Sequence, residues 1–312
     1  MSSFATAFSA VSPMLIYMIV GKLVRYAKIC STDTLKSLNQ LIFRVFIPLS
    51  LFVSIYNSDL GNIIQPKLFL YVELLIILSC VATWYLLKPH IADTTDLVTV
   101  TQGAYRSNVV LFGSVLAASL CDDTGMALIG ALCAVVVPTL NIESVIMFEM
   151  VRGKNVHVRE LLISILKNPL VVASLLGMLF SFLHIPIPGF VLQPITKLGN
   201  AATPVALVVL GALISMGSIR RHKRYLIIAS VGRLIIIPLV AVLIGLLLGY
   251  RGNEMVALVA IFGAPTAVSS APMAQAMGGN ADMAGEIVAA TTCACLATLF
   301  VFIFILSAAG VI

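Results

Sequence analysis

Apolar runs separated by short polar turns follow one another from end to end of this chain. Each is close to the roughly 20 residues that a helix needs to cross a bilayer. Ten are legible, at about 4–24, 35–56, 67–87, 99–119, 124–150, 161–183, 190–217, 225–249, 254–277 and 283–309. Two of them are interrupted. The fourth holds TQGAYRSNVVLFGSVLAASL, Thr101 to Leu120, where Arg106, Ser107 and Asn108 precede Gly113 at mid-span. The ninth holds LVAIFGAPTAVSSAPMAQAM, Leu258 to Met277, with Gly263, Pro265 and Pro272 in its middle and Thr266 beside the first proline. In hydrocarbon a freed backbone group must find a partner, so an unwound stretch survives only inside protein or beside a water-filled cavity. Two broken spans in corresponding positions of two halves point to a transporter's binding site.

The turns between the runs carry a second pattern. Lys22, Arg25, Lys28 and Lys36 follow the first span, Lys88 the third, Arg152, Lys154 and Arg159 the fifth, and Arg220, Arg221, Lys223 and Arg224 the seventh. The intervening turns are poor in lysine and arginine, with Arg251 alone after the eighth span. This alternation fits ten spans with the odd-numbered turns cytoplasmic and both termini outside. Five spans per half is an odd number, so residues 1–155 and 156–312 have opposite orientations, the arithmetic of an inverted repeat. The expected fold is all-α and membrane-integral, with discontinuous spans 4 and 9.

Composition removes other classes. The chain is 60% hydrophobic and 10% charged, whereas a soluble domain is near a quarter charged. The net charge of +6 lies in short turns, the pattern of membrane orientation rather than of nucleic-acid binding. The N-terminal run has no basic residue before it and is read as a retained span, not a secretory signal. Cys30, Cys80, Cys121, Cys133, Cys293 and Cys295 include no CxxC pair and read as small packing residues. His90, His157, His184 and His222 fall at turns or span ends, so no metal cluster is expected. HExxH, GxSxG and Walker motifs are absent from the sequence, so an enzyme is not expected, nor is a cofactor.

Ionisable residues inside spans are costly and therefore functional by default. Arg44 shares a helix face with Pro48 by its offset. Arg106 lies a turn or less before the break in span 4, and Glu143 and Asn141 lie in span 5. Glu73, Lys197 and Arg233 can reach the headgroups by snorkelling, and Glu286 lies in span 10. Asn108, which both donates and accepts, is the strongest single candidate.

Several of these segments carry a family pattern. They are FRVFIPLSLF around Pro48, RSNVVLFGSVLA with Asn108 and Gly113, KNPL at Lys167–Leu170, and ATPVALVVLGALI with Pro204 and Gly211. Further along come GRLIIIPL with Pro238, GAPTAVSSA with Pro265, and ADMAGEIVAATT. In this order and over nearly the whole length, the chain resembles the auxin efflux carrier family, related in fold to bile-acid/sodium symporters. It departs at position 115, a valine where the family has a proline. The resemblance implies a scaffold of spans 1, 2, 6 and 7 and a transport domain of spans 3–5 and 8–10. It also implies that spans 4 and 9 cross at unwound centres beside the substrate. The implied site is Asn108 in span 4, Asn141 in span 5 and Ser50 near Leu51 and Ser54 in span 2, beside the breaks at Gly113 and Pro265, and Arg106 and Thr266, polar residues next to those breaks, complete the candidate set. The short turn Arg152–Arg159 resembles bacterial members.

The expected function is transport of small organic anions, malate-like, malonate-like or auxin-like, across the plasma membrane. The partners are the anion and the lipid bilayer, with a homodimer through the scaffold spans and no nucleic acid. A sodium- or proton-coupled symporter is the alternative, which acids such as Glu143 or Glu286 converging on the crossing would favour. An intramembrane enzyme lacks its motifs, and a sensor lacks a soluble domain.

Overall fold

The computed structural model describes residues 3–57, 65–110, 116, 120–152, 163, 166–213 and 216–312. All regular structure among these is helical, apart from one isolated antiparallel bridge. The chain starts with α1 (Ser3–Tyr26) and α2 (Thr32–Leu41), which runs through a π-turn at Ile42–Phe46 into α3 (Ile47–Tyr56). Next come α4 (Pro66–Leu87), α5 (Thr94–Tyr105), α6 (Asp123–Arg152), α7 (Pro169–Phe182) and α8 (Gly189–Leu213). Helix α9 (Met216–Val231) continues through a second π-turn, Gly232–Ile236, into α10 (Ile237–Leu247). The last elements are α11 (Asn253–Gly263), α12 (Ser270–Met277) and α13 (Ala281–Ala308).

Six of the described helical segments are long and apolar enough to cross a membrane: Thr32–Val53, Pro66–Leu87, Thr124–Arg152, Gly189–Leu213, His222–Leu247 and Ala281–Ala308. Their outward faces are apolar too. Leu70, Leu74, Ile77, Leu78 and Val81 on α4, and Leu239, Leu243 and Leu247 on α10, are exposed at helical spacing. A soluble protein rarely leaves apolar surface this continuous, and lipid removes the penalty. The chain is a multi-pass membrane protein.

Both π-turns precede a proline at the second position of the next helix, Pro48 and Pro238. A proline ring clashes with the carbonyl four residues back and lacks an N–H. The widened turn, closed by Ile47 N–H to Ile42 O and by Ile237 N–H to Gly232 O, accommodates it. It also changes the face count. Arg44 is exposed while Pro48 is buried, so the expectation that the two share a face fails, because the extra residue in the turn rotates one relative to the other.

Two packing groups can be described. In one, α1 lies along α8, and α3 lies against α7 and α8. Contact there is backbone to backbone: a Cβ at Gly21 would fall on the Val208 carbonyl, and one at Gly211 on that of Met18. In the other, α5 is enclosed by α4, α6, α9 and α13, and every residue from Leu97 to Tyr105 is buried. Helix α11 is similarly buried from Met255 to Gly263, against α6, α10 and α13.

Candidate functional site

Helices α5 and α11 both stop deep inside the protein, and their ends meet. Helix α5 is started by Asp93, whose carboxylate accepts from the N–H groups of Thr95 and Asp96. It ends at Tyr105, after which Arg106 is extended (φ −76°, ψ 115°). Helix α11 ends at Gly263, and Ala264 is extended (φ −61°, ψ 150°). Pro265 accounts for the second stop, since the residue before a proline is driven out of the helical region. No proline or glycine stands at 106–108, so the first stop is set by tertiary bonds. Asn108 N–H donates to the Pro265 carbonyl at 2.9 Å, and Ala267 N–H donates to the Arg106 carbonyl at 3.2 Å. The two segments thus pair antiparallel, Ser107 opposite Thr266.

Side chains complete the junction. Thr266 is fully buried, and its hydroxyl donates to the Gly103 carbonyl at 2.6 Å. The Ser107 hydroxyl donates to the Ile261 carbonyl. Arg233, 1% exposed, donates to the carbonyls of Tyr105, Ile261, Phe262 and Ala264. One guanidinium therefore satisfies the orphan carbonyls at the C-terminal ends of two helices, where a cation also opposes the negative dipole end. Sequence reasoning allowed Arg233 to snorkel; the structure buries it instead.

A cavity of about 90 Å³ lies beside this junction. Of the residues singled out in the sequence, Arg106, Asn108, Asn141 and Ser50 line it, brought from three separate segments. Pro265 and Thr266 shape the junction behind it and do not line it. Gly113 lies outside the described residues. The observed departure from helix in span 4 comes earlier, at Arg106–Asn108, because the carbonyl of Arg106 is committed to Ala267 rather than to its own helix. Ser269 and Thr203 also face the cavity, which Ile47, Leu51, Val137 and Leu140 otherwise make apolar.

The polar side of this cavity is positively charged. Arg106 is 2% exposed, and its guanidinium donates to Asn141 Oδ1 at 2.5 Å and to the sulfur of Met273 at 2.7 Å. Among the described residues it forms no ion pair with a carboxylate. Asn108 Nδ2 is buried and has no hydrogen-bond partner among the described residues. Helix α12 starts beside the cavity, which Ser269 lines immediately before its first turn, so the positive end of its dipole lies there. Met273 was invisible to sequence reasoning, since a methionine in an apolar span has no polar signature. Glu73, which accepts from Thr139 at 2.7 Å, and Glu143, whose oxygens have no partner among the described residues, do not line this cavity.

A family model described as membrane transport protein matches residues 6–303. An uncharacterized transporter of Methanocaldococcus jannaschii is 24% identical over 255 residues, covering 77% of this chain and 80% of that protein. Among solved structures, a sodium proton antiporter from Methanocaldococcus jannaschii superimposes with a TM-score of 0.63. The alignment covers 96% of each chain at 10% identity, a likeness of fold alone.

Proposed function

This chain belongs to the membrane transport protein family, that of the auxin efflux carriers, and we propose that it carries small organic anions across the plasma membrane by alternating access. The observation that carries this reading is a buried cation that meets no carboxylate among the described residues. Arg106 faces a cavity, donates to a neutral amide and a thioether, and stands beside the unpartnered Asn108 Nδ2. A buried charge is expensive unless compensated. A carboxylate in the cavity compensates it, accepting from the guanidinium and from Asn108. Its small volume suits malate-like or malonate-like acids of a few carbons.

The architecture proposed with this function is ten membrane helices in two inverted repeats, 1–155 and 156–312, with both termini extracytoplasmic. The crossing of spans 4 and 9 is then the paired junction of α5 and α11. The scaffold corresponds to α1, α2–α3, α7 and α8, and the transport domain to the remaining helices. The packing of α1 along α8 and of α3 against α7 and α8 in one group, and of α5 against α4, α9 and α13 in the other, supports the division. Rocking of one group against the other would open the cavity to each side in turn, and an inside-negative potential would favour anion export by about 2.3 kcal/mol per charge per 100 mV. Coupling to a cation is the second reading; neither Glu143 nor Glu286 lines the cavity at the crossing, but Glu286 is a buried acid with one oxygen unpartnered among the described residues.

The test is a thermal-shift screen of the purified protein against organic acids. A ligand that binds only the folded state raises the melting temperature in a concentration-dependent way. The reading expects such a shift for a small carboxylate and its loss in Asn108→Ala. A full shift in that variant would overturn the site.

A further inference from the structure

The two packing groups enclose a second and larger cavity, of about 450 Å³, which shares no lining residue with the one at the crossing. Lys36 and Asn39 of α2 and Leu210 and Leu213 of α8 form one wall. Gln275 of α12 and Asp282 and Glu286 of α13 form the other. The walls touch at two polar contacts, where Asn39 Nδ2 donates to Gln275 Oε1 at 2.6 Å and Gln275 Nε2 donates to the Lys36 carbonyl at 3.2 Å. Close approach of α13 to α8 is permitted by Gly285, where a Cβ would meet Leu210 Cδ1 at 2.6 Å.

Glu286 is 1% exposed. Its Oε2 lies 3.0 Å from Nδ1 of His222, at the start of the span His222–Leu247. Its Oε1 is buried and has no partner among the described residues. A carboxylate this enclosed ordinarily has both oxygens satisfied, so a free acceptor on a cavity wall is a place for a ligand that donates. The smallest such ligand is the proton, and the adjacent imidazole, with a second ring nitrogen, can relay one to the carboxylate.

We propose that Glu286 and His222 form the proton-binding site through which the carrier's cycle is coupled to protons. The inference rests on the transport reading above. Without a bound proton the pair holds one negative charge, on Glu286. One proton from water makes the pair neutral overall, as carboxylic acid with imidazole or as carboxylate with imidazolium; no other bond changes. A net charge buried in the membrane is costly to move, so the transport group moves more readily with the pair neutralised. Arg106 neutralised by its anion meets the same condition at the crossing, and the two sites favour the same movement.

The surroundings are mixed in charge. Helix α2 contributes Lys36, α13 contributes Asp282, and α5 contributes Asp96, held to Asn280 at 2.8 Å. Lys223 and Arg224 on α9 are exposed, and α1 carries Lys22 and Arg25 in its last turns. The cavity-facing residues of α8 and α12, Leu210, Leu213 and Gln275, do not titrate.

The experiment uses the full chain in proteoliposomes loaded with the pH dye pyranine, with malate as the anion probe. Wild type is expected to move protons when malate moves. Glu286→Gln is expected to keep the malate-induced thermal shift while its proton signal falls at least about tenfold, the change of one pK unit in a proton equilibrium. His222→Gln serves where the first variant folds poorly and is expected to weaken the proton signal similarly. Wild-type proton movement in a folded variant of either residue overturns the proposal. If malate shifts neither protein, the anion probe has failed rather than this site. Infrared difference spectra then decide: a pH-dependent carboxyl band lost in Glu286→Gln supports the site, and the same band retained in that variant, or no such band in wild type, overturns it.

Discussion

Arg106 and Arg233 are the same residue type, buried within one junction, yet their surroundings assign them different tasks. Arg233 has four carbonyl acceptors, so its charge is absorbed by two helix ends. Arg106 has Asn141 and a sulfur, so its charge is left for something else. Replacing Arg233 by Met orphans those carbonyls and should destabilise by about 3 kcal/mol or more, read as a large loss of melting temperature in detergent. Replacing Arg106 by Gln removes an uncompensated buried charge. Its melting temperature should stay level or rise, while carboxylate binding weakens by about 2–5 kcal/mol. A calorimetric titration beside a melting curve separates the two effects. The candidate residues Arg106, Asn108, Asn141 and Ser50 were legible because each is polar inside an apolar run. The task of Arg233 was not, because a long cationic side chain in such a run can equally reach the headgroups, and only the folded chain brings the carbonyls to it.

Helix ends show the same divide between local and tertiary causes. The end of α11 was legible, since Pro265 excludes the helical conformation at Ala264. The end of α5 was not located by Gly113, because the interruption at Arg106 is imposed by the strand-like partner from the other half of the chain. The start of α5 is local again. The Thr95 hydroxyl, and then the Asp96 N–H, hold the Asp93 carboxyl below the usual carboxylate range. Asp93→Ala should cost about 1 kcal/mol, the common value of an N-cap. The sign of its pH dependence follows from the lowered value. The capping contribution is complete above the unfolded carboxyl's value, near pH 4, and is lost as pH falls through the lower folded value. Melting curves for wild type and Asp93→Ala should therefore converge on acidification below about pH 4.

On the scale of the whole molecule, the account needs two bodies, one of them internally rigid. The α1–α8 contact supplies rigidity through Gly21 and Gly211, each seated against a backbone carbonyl of the other helix. Gly211→Val would force these helices apart and should destabilise by about 3 kcal/mol or more, at the upper end of overpacking costs, with Val209→Ala nearby as a milder control. The helical, multi-pass membrane class was legible from apolar run lengths, and the family from the ordered motifs along the chain. The pairing of helices was not, because α4, α8 and α13 carry similar apolar residues on all sides and lipid competes equally for them.

The central claim is that a carboxylate neutralises Arg106 at the junction of the two broken spans. Uptake of labelled malate and malonate into proteoliposomes, with wild type, Arg106→Gln and Asn108→Ala compared at matched reconstitution, tests it most directly. The account predicts saturable uptake of a small carboxylate by wild type and its loss in both variants. Saturable uptake of equal rate and half-saturation in Arg106→Gln, or no carboxylate uptake by a folded wild-type protein, would contradict it.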